Sequence, residues 1–271
     1  MTEKRSGIVT LTTDFGLRDP YVAAMKGVIL SIFPKALLVD VTHHVPPGDI
    51  REAADTLARA ALLYPPGTVH TAVVDPGVGG DRRALAAKAD EHVFVGPDNG
   101  VLWPAIRNAP DLRVVHLEND AFFRKPVSRT FHGRDVFAPV AAHLAAGTPL
   151  DALGNGISDP IRLEAEGPER STDGLVGAIT RVDRFGNLIT NIRAGDLDSV
   201  ARGRNPVIRA GDIRVRGVRS CYEEVPRNEP LAIMGSDGFL ELSVNQGRAS
   251  DRMGLKGEGI VGAKVRIGFE A

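Results

Sequence analysis

The chain has little of what marks secreted, membrane-spanning or nucleic-acid-binding proteins. It contains one cysteine, Cys221, so no internal disulfide can form and a reducing compartment is expected. No apolar run reaches the length of a membrane span, and the segment MTEKRSGIVTLTTDF has no signal-peptide core. The 33 basic and 34 acidic residues form no block of like charge. We therefore expect a soluble cytoplasmic protein that binds neither nucleic acid nor membranes.

Length and composition predict two domains. The hydrophobic fraction of 43% and the charged fraction of 25% are ordinary for a globular protein, and 271 residues exceed one small core. The segment LGNGISDPIRLEAEGPERSTDG (153–174) is rich in Gly, Pro and charge, which is typical of a linker. We place an N-terminal domain at 1–168 and a C-terminal domain at 169–271.

The N-terminal part alternates β-rich runs with apolar stripes of helical spacing. The predicted strands are GIVTLTT (7–13), ALLVDVT (36–42) and TVHTAVVD (68–75), followed by HVFVG (92–96) and RVVHL (113–117). The predicted helices begin at Asp19 as N-cap, run from Asp49 to Tyr64 with Leu62 on the apolar stripe, and run from Asp135 to Ala146. This order predicts an α/β domain with a largely parallel sheet, in which 36–42 is buried on both faces.

The C-terminal part contains only short β-like runs, most of them punctuated by Gly or Pro. They lie at 175–183, 187–192, 206–210, 213–218, 231–234, 239–244 and 263–267. Such spacing predicts a small antiparallel barrel or sandwich.

The segment VVDPGVGGDRR (73–83) carries the first candidate site. A strand ends near Asp75, a Pro- and Gly-rich turn follows, and Arg82 comes seven residues later. One interpretation is a plain polar loop, since Asp and Gly supply turn chemistry. The other is a strand-end carboxylate that its own guanidinium keeps ionised, open to a small ligand.

His132 lies in RTFHGRD (129–135), on a Gly-containing turn before the helix that Asp135 is expected to cap. A histidine there can orient or exchange a proton near neutral pH, although a solvated loop residue is an equal alternative. The remaining histidines have no metal-ligand spacing with carboxylates or cysteine, so no metal site is predicted.

Asp14 ends the first predicted strand in TTDFG (12–16). A protein-kinase interpretation of DFG fails because no Gly-rich phosphate loop, VAIK-type strand or HRD loop stands in the required order. Asp14 is better interpreted as an acceptor for hydroxyls such as those of a ribose, with a plain loop aspartate as the alternative.

Two turns in the C-terminal part carry the remaining candidates. In DRFGNLITN (183–191), Phe185 can stack on a base and Asn187 can pair with an adenine edge, unless the segment is only a β-turn. In GSDGFLELSVNQG (235–247), Ser236 lies in a Gly-flanked turn whose backbone amides could hold a carboxylate.

Taken in order, these stretches resemble one family, the S-adenosyl-L-methionine hydrolases. The motifs are TTDFGLRDPYVAAMKG, VVDPGVGG with Arg82, GPDNG (96–100), TFHGRD, DRFGNLITN and GSDGFLELSVNQG. These hydroxide adenosyltransferases are related to the 5′-halogenases that make fluoro- and chloro-deoxyadenosine. The resemblance covers about residues 7 to 267.

The resemblance implies a role for each candidate residue. The catalytic set of the family falls on Asp75, Arg82 and His132, and its ribose-binding aspartate falls on Asp14. Phe131 is implied to line the reacting centre. The adenine contacts match Phe185 and Asn187, and the contacts to the methionine part match Asp183 and Ser236.

The resemblance further implies a homotrimer whose active sites lie between the N-terminal domain of one subunit and the C-terminal domain of the next. S-adenosyl-L-methionine is then a substrate, and no cofactor is expected. The implied reaction is water attack at C5′, giving adenosine and L-methionine, with either Asp75 or His132 as the final proton acceptor.

Two other functions remain open. The halogenase branch carries tyrosine where Asp75 stands, threonine where Val78 stands and serine where Gly133 stands, so hydroxyls that help hold a halide are missing here. It also carries a tryptophan where Gly48 stands, which leaves the ribose wall unassigned. A non-catalytic adenosine- or S-adenosyl-methionine-binding protein is the third possibility, although binding alone does not require Asp75, Arg82 and His132.

Overall fold

The chain folds into two compact units, Met1–Glu164 and Ala165–Ala271. The computed structural model describes residues 5–164, 166–201, 203–254 and 259–269. The first unit is a mixed α/β unit and the second is an antiparallel β unit, which confirms the predicted fold class.

A seven-stranded sheet forms the centre of the first unit, in the order β2-β1-β3-β5-β4-β6-β7. Its strands are β1 (Ile8–Thr13), β2 (Leu37–Thr42), β3 (Val69–Val73), β4 (Ala84–Ala89), β5 (His92–Pro97), β6 (Arg113–His116) and β7 (Gly156–Ile157). Strands β2, β1, β3 and β5 pair in parallel, whereas β4, β6 and β7 join antiparallel. The parallel half therefore collects several strand ends at one edge.

Helices cover both faces of this sheet. They are α1 (Tyr21–Ile32), α2 (Ile50–Ala61), α3 (Trp103–Ile106) and α4 (Ala138–Ala146), and a π-helical turn, Gly133–Phe137, leads into α4. Helices α1 and α4 pack with Val9 and Leu11 of β1 in one core cluster. Helix α2 packs with Ala72 and Phe94 in the other. The alternation of side chains along each strand produces these two cores.

Several local predictions for the first unit are wrong. Strand β2 is not buried on both faces, because it is the edge strand and Leu37 is 60% exposed. Leu62 follows the end of α2 and is 83% exposed, so it does not continue the apolar stripe. The residue that caps α1 is Pro20 rather than Asp19, and no side chain caps that helix.

Strand β4 was not predicted from the sequence. Its residues, ALAAKA, are alanine-rich and have weak β-propensity. Pairing with β5 on one side and β6 on the other places them in the sheet. Tertiary context therefore overrides local propensity here.

The second unit is an eight-stranded antiparallel sheet in the order β12-β11-β15-β9-β10-β14-β13, with β8 paired to β9. Its strands are β8 (Glu169–Ser171), β9 (Gly174–Val182), β10 (Leu188–Arg193), β11 (Pro206–Ala210), β12 (Ile213–Arg216), β13 (Pro230–Met234), β14 (Phe239–Val244) and β15 (Lys264–Phe269). A bridge between Arg219 and Ile233 nearly closes the sheet into a barrel. Each of the seven predicted runs contributes one strand.

A short helix, α5 (Ala194–Ala201), follows β10 and was not predicted. Among the helices of the described residues, none combines the length and apolar character that crossing a bilayer requires.

Candidate active site

Asp75 and Arg82 form a close ion pair at the carboxyl end of β3. Arg82 Nε lies 2.9 Å from Oδ1 and 3.0 Å from Oδ2 of Asp75, and Nη2 lies 2.5 Å from Oδ2. The two side chains are only 5% and 11% exposed, so water screens their attraction weakly. Arg82 also lies over the buried ring of Phe137, 5.4 Å from its centroid. The guanidinium thus holds the carboxylate in one orientation.

The loop between these residues consists of two tight turns. Val78 N donates to Asp75 O at 3.1 Å, and Gly80 N donates to Gly77 O at 3.1 Å. Gly79 has a φ of +76°, and a Cβ there would lie 2.1 Å from the carbonyl oxygen of Arg129. Glycine is therefore required for the loop to approach the segment that carries His132.

His132 joins this pair through a 2.7 Å contact between its Nδ1 and Arg82 Nη2. Because a guanidinium can only donate, Nδ1 must accept, and the ring proton of neutral His132 must lie on Nε2. Burial lowers the pKa of His132 below 6.5, and the charge of Arg82 lowers it further, against the opposing charges of Asp75 and Asp135. His132 is thus neutral and presents an N–H donor.

The predicted capping role of Asp135 is wrong. Asp135 lies inside the π-helical turn and is fully buried. Its carboxylate accepts from the backbone N of Ser128 at 2.9 Å, from Arg134 at 2.7 Å and from Arg124 at 3.2 Å. Burial raises the pKa of Asp135, but these bonds outweigh burial and hold that pKa below its usual range. Asp135 therefore fixes the loop that leads to His132.

Asp14 follows β1 at the same edge of the sheet as Asp75. Strands β1 and β3 pair in parallel with Thr13 opposite Val73, so both carboxylates follow neighbouring strand ends. Asp14 Oδ2 accepts from the backbone N of Gly48 at 2.9 Å. The other oxygen keeps its acceptor capacity for a ligand hydroxyl.

Phe131 packs against two aromatic rings that the sequence did not single out. Its ring centroid lies 5.8 Å from that of Phe15 and 5.1 Å from that of Tyr21, and both contacts are edge-to-face. The guanidinium carbon of Arg134 lies over the Phe131 ring, 5.1 Å from its centroid. The rings join the loop after β1 to the loop before His132. In the sequence, only the position of Phe15 next to Asp14 could have indicated that this ring lies near the candidate site.

The GPDNG segment (96–100) forms hydrogen bonds with residues on both sides of Asp75 in sequence. Asn99 Nδ2 donates to the carbonyl of Val74 at 2.9 Å. Buried Asp98 accepts from Arg83 at 2.7 Å and from the backbone N of Ile161 at 2.7 Å. Successive arginines thus serve different partners, since Arg82 binds Asp75 and Arg83 binds Asp98.

In the second unit, Asp183 and Asn187 close the turn between β9 and β10. Asn187 donates to Asp183 through its backbone N and through Nδ2, each at 2.8 Å. A carboxylate only accepts, so this contact fixes the orientation of the amide. Oδ1 and one N–H of Asn187 remain for another partner. Gly186 has a φ of +85°, and the ring of Phe185 is 74% exposed.

Ser236 lies in the turn between β13 and β14, as its motif predicted, and it is exposed. The neighbouring Asp237 accepts from Arg181 at 3.1 Å. Burial raises the pKa of Glu241, and the charges of Asp183 and Asp237 raise it further, against Arg181. Arg181 and Glu241 were not predicted, because they lie on strands distant in sequence from the two turns.

The structure thus gathers the candidates into two groups. Asp75, Arg82 and His132 are joined directly within the first unit, where Asp14 and Phe131 flank them on adjoining loops. Asp183 and Asn187 are joined within the second unit. Within the described ranges, no three His, Cys, Asp or Glu side chains cluster in a way that could hold a metal ion.

The chain belongs to the SAM hydroxide adenosyltransferase family. The model of the N-terminal domain of this family matches residues 9–154, and the model of its C-terminal domain matches residues 177–261.

Named relatives fall into two groups. The chain is 42% identical over 255 residues to a Thermus thermophilus protein named (R)-S-adenosyl-L-methionine hydrolase, covering 92% of this chain and 96% of that one. It is 41% identical over 250 residues to a Salinispora tropica protein of the same name, covering 91% and 94%. It is 28% identical over 304 residues to a Nocardia brasiliensis fluorinase, covering 98% and 99%. Hydrolases therefore resemble the chain more than the fluorinase does.

A solved structure of an uncharacterized conserved protein from Thermotoga maritima superposes with a TM-score of 0.87. That protein is 37% identical to this chain, and the match covers 96% of this chain and 99% of the other.

Proposed function

We propose that this protein hydrolyses S-adenosyl-L-methionine to adenosine and L-methionine by attack of water at C5′. The observation that carries the proposal is the Asp75 carboxylate, held through both oxygens by Arg82 beside neutral His132. The hydrolase relatives, at 41 and 42% identity, support the same reaction.

The chemistry asks little of the enzyme at the leaving group. Attack on C5′ forms the O–C bond and breaks the C–S bond, and the C–S electron pair returns to sulfur as a neutral thioether. No general acid is needed, whereas a water must be oriented in line with the C–S bond. Asp75 accepts a hydrogen bond from that water, and its charge favours the sulfonium.

The tautomer of His132 selects the proton acceptor in this proposal. Arg82 occupies Nδ1 and the ring proton occupies Nε2, so His132 has no free acceptor nitrogen. Asp75 therefore takes the proton that water releases and passes it to solvent. His132 contributes an Nε2–H donor that orients the water.

Halogenation is the second enzymatic candidate, and the loops disfavour it. Val78 and Gly133 provide no hydroxyl, and the charge of Asp75 repels a halide. A Cβ at Gly133 would lie 3.2 to 3.3 Å from Phe131, Met25 and Phe15, so a serine there would crowd the aromatic contacts. A protein that only binds the nucleoside would not need the contacts from Arg82 to Asp75 and His132.

The names of the hydrolase relatives specify the sulfonium configuration. Both hydrolases described above are named for the (R) form of S-adenosyl-L-methionine. We extend the proposal to that preference, with turnover of the (R) epimer exceeding that of the (S) epimer.

We further propose that the protein assembles into a homotrimer and that its reaction uses no cofactor. Asp14 and Phe131 would hold the ribose side on one chain. Phe185 and Asn187 of a neighbouring chain would hold the adenine, and Asp183 and Ser236 would hold the methionine part. The single cysteine, which is exposed and free, fits a reducing compartment such as the cytoplasm.

A single incubation tests the reaction. Purified protein is mixed with each S-adenosyl-L-methionine epimer in H2¹⁸O, and products are separated by chromatography with mass detection. Equimolar adenosine and methionine are expected, with ¹⁸O at the 5′ position of adenosine. Absence of adenosine, or adenosine without ¹⁸O, would contradict water attack at C5′. Equal rates for the two epimers would contradict only the preference for (R).

A further inference from the structure

A chain of polar contacts leads from the surface of the first unit to the backbone beside Asp14. Lys26 Nζ lies 2.6 Å from Asp40 Oδ2, and Asp40 Oδ1 lies 3.1 Å from His43 Nε2. His43 Nδ1 lies 2.8 Å from Thr13 Oγ1, which accepts from the backbone N of Phe15 at 3.3 Å. The contacts join α1, the end of β2 and the end of β1.

Two further hydrogen bonds join the loop after β1 to the segment 43–48. The backbone N of Gly16 donates to the carbonyl of His43 at 2.8 Å. The backbone N of Gly48 donates to Asp14 Oδ2 at 2.9 Å. The residues on both sides of Asp14 are therefore bound to the segment 43–48.

The two residues at the inner end of this series of polar contacts, Thr13 and His43, are deeply buried. Thr13 is 0% exposed and His43 is 3% exposed. Asp40 faces Nε2, although the contact is poorly aligned for a regular hydrogen bond. The carboxylate favours the ring proton on Nε2, so Nδ1 accepts the hydroxyl hydrogen of Thr13. The hydroxyl oxygen then remains free to accept from Phe15 N.

We propose that His43 is a positioning residue, which acts through Thr13 to hold the Asp14 carboxylate in its ligand-binding orientation. The inference rests on the proposed contact of Asp14 with the ribose hydroxyls. His43 itself does not touch the ligand in this proposal. Loss of the Nδ1 acceptor would leave the hydroxyl hydrogen of buried Thr13 without an acceptor and let the 13–16 loop shift.

The first test compares the affinities of the full-length protein for adenosine and for 2′,3′-dideoxyadenosine by calorimetry. The ratio of the affinity for adenosine to the affinity for 2′,3′-dideoxyadenosine reports the ribose hydroxyl contacts rather than general stability. His43→Leu is expected to lower the ratio about tenfold, the size expected for weakening a hydrogen bond to a charged group. The control is His44→Leu at the exposed neighbouring histidine, which should keep the wild-type ratio.

Two further variants guard against a simple folding defect. Thr13→Val removes the hydroxyl and keeps the side-chain shape, so it should lower the ratio as His43→Leu does. Thr13→Ser keeps the hydroxyl and should restore the ratio. An unchanged ratio in both His43→Leu and Thr13→Val, with thermal melts confirming folded protein, would overturn the proposal.

A double-mutant cycle separates this inference from the proposed function. In an Asp14→Ala background, His43→Leu should leave the ratio unchanged, because the carboxylate that it positions is gone. If Asp14→Ala lowers the ratio but His43→Leu lowers it further by its full factor, only the positioning role is overturned. If neither Asp14→Ala nor His43→Leu changes the ratio, the ribose assignment of Asp14 is wrong and both proposals are overturned.

Discussion

Arg82 Nη2 lies 2.7 Å from Nδ1 of His132, and the guanidinium can only donate across this contact. The same nitrogen donates to Oδ2 of Asp75 at 2.5 Å. One guanidinium therefore sets the roles of two neighbours, because it uses up the acceptor nitrogen of His132 and orients the carboxylate of Asp75. In the proposed mechanism, the carboxylate of Asp75 is therefore the base, whereas the sequence left Asp75 and His132 as alternatives.

Replacing Asp75 should remove turnover and keep substrate binding. Asp75→Ala is expected to lower kcat on the order of 10³-fold, because the water loses both its acceptor and the nearby negative charge. The matched control is Asp81→Ala, an exposed aspartate of the same loop, which should keep the wild-type rate. Adenosine release and substrate affinity are measured together. Near-full turnover in Asp75→Ala would show that another group activates the water.

The pH profile should report neutral His132. Its pKa lies below the ordinary value of 6.5, so the neutral form persists into mildly acidic solution and is lost only below that value. We expect kcat/KM to stay level from pH 8 to about 6.5 and to fall at lower pH as His132 gains its second proton. In His132→Asn, which does not titrate, this acid limb should move to lower pH. A midpoint above 6.5, or a limb unchanged by the substitution, would contradict the assignment.

Halide ions should yield no halogenated nucleoside. Val78 and Gly133 provide no hydroxyl for a halide, and the charge of Asp75 opposes its entry. Incubation with chloride or fluoride is followed by mass spectrometry for 5′-halo-deoxyadenosine, with a fluorinase relative as positive control. Detection of that product from this protein would place it with the halogenases.

Mixed assemblies should test whether each site is shared between chains. Asp75→Ala and Asn187→Ala should each be nearly inactive alone, because they remove the reacting and adenine-binding halves of the proposed site. When the two variants are co-expressed equally, random mixing in a closed head-to-tail trimer leaves roughly a quarter of the interfaces with both halves intact. Activity should recover to about that fraction of wild type. Mixed trimers without recovery would mean that one chain builds the whole site.

Much of the fold could be predicted because its signals are local. Asp49 accepts from the backbone N of Glu52 and begins α2, as an N-cap should. Gly147 ends α4 with a φ of 114°, the left-handed conformation that glycine adopts readily. Asp75 and Arg82 are separated by one tight loop, so their pairing could also be inferred from the sequence.

Other features depended on distant parts of the chain. Alanine-rich β4 is a strand because β5 and β6 flank it, whereas apolar β2 lies at the sheet edge because only β1 pairs with it. Asp135 resembled a helix cap, yet it is buried among Arg124, Arg134 and the backbone of Ser128. Strand order decides burial, and no local pattern encodes it.

The sequence by itself identified the candidate groups, namely Asp14, Asp75, Arg82 and His132. Only the tertiary structure decided which groups they contact and which ring nitrogen of His132 carries the proton. Arg82 and His132 are fifty positions apart and Thr13 and His43 are thirty apart, so no local pattern predicts either hydrogen bond, and only the family resemblance grouped Arg82 with His132. The acceptor role of His132 Nδ1 depends on which atom faces it in space, so the proposal of Asp75 as proton acceptor rests on the folded chain rather than on residue type.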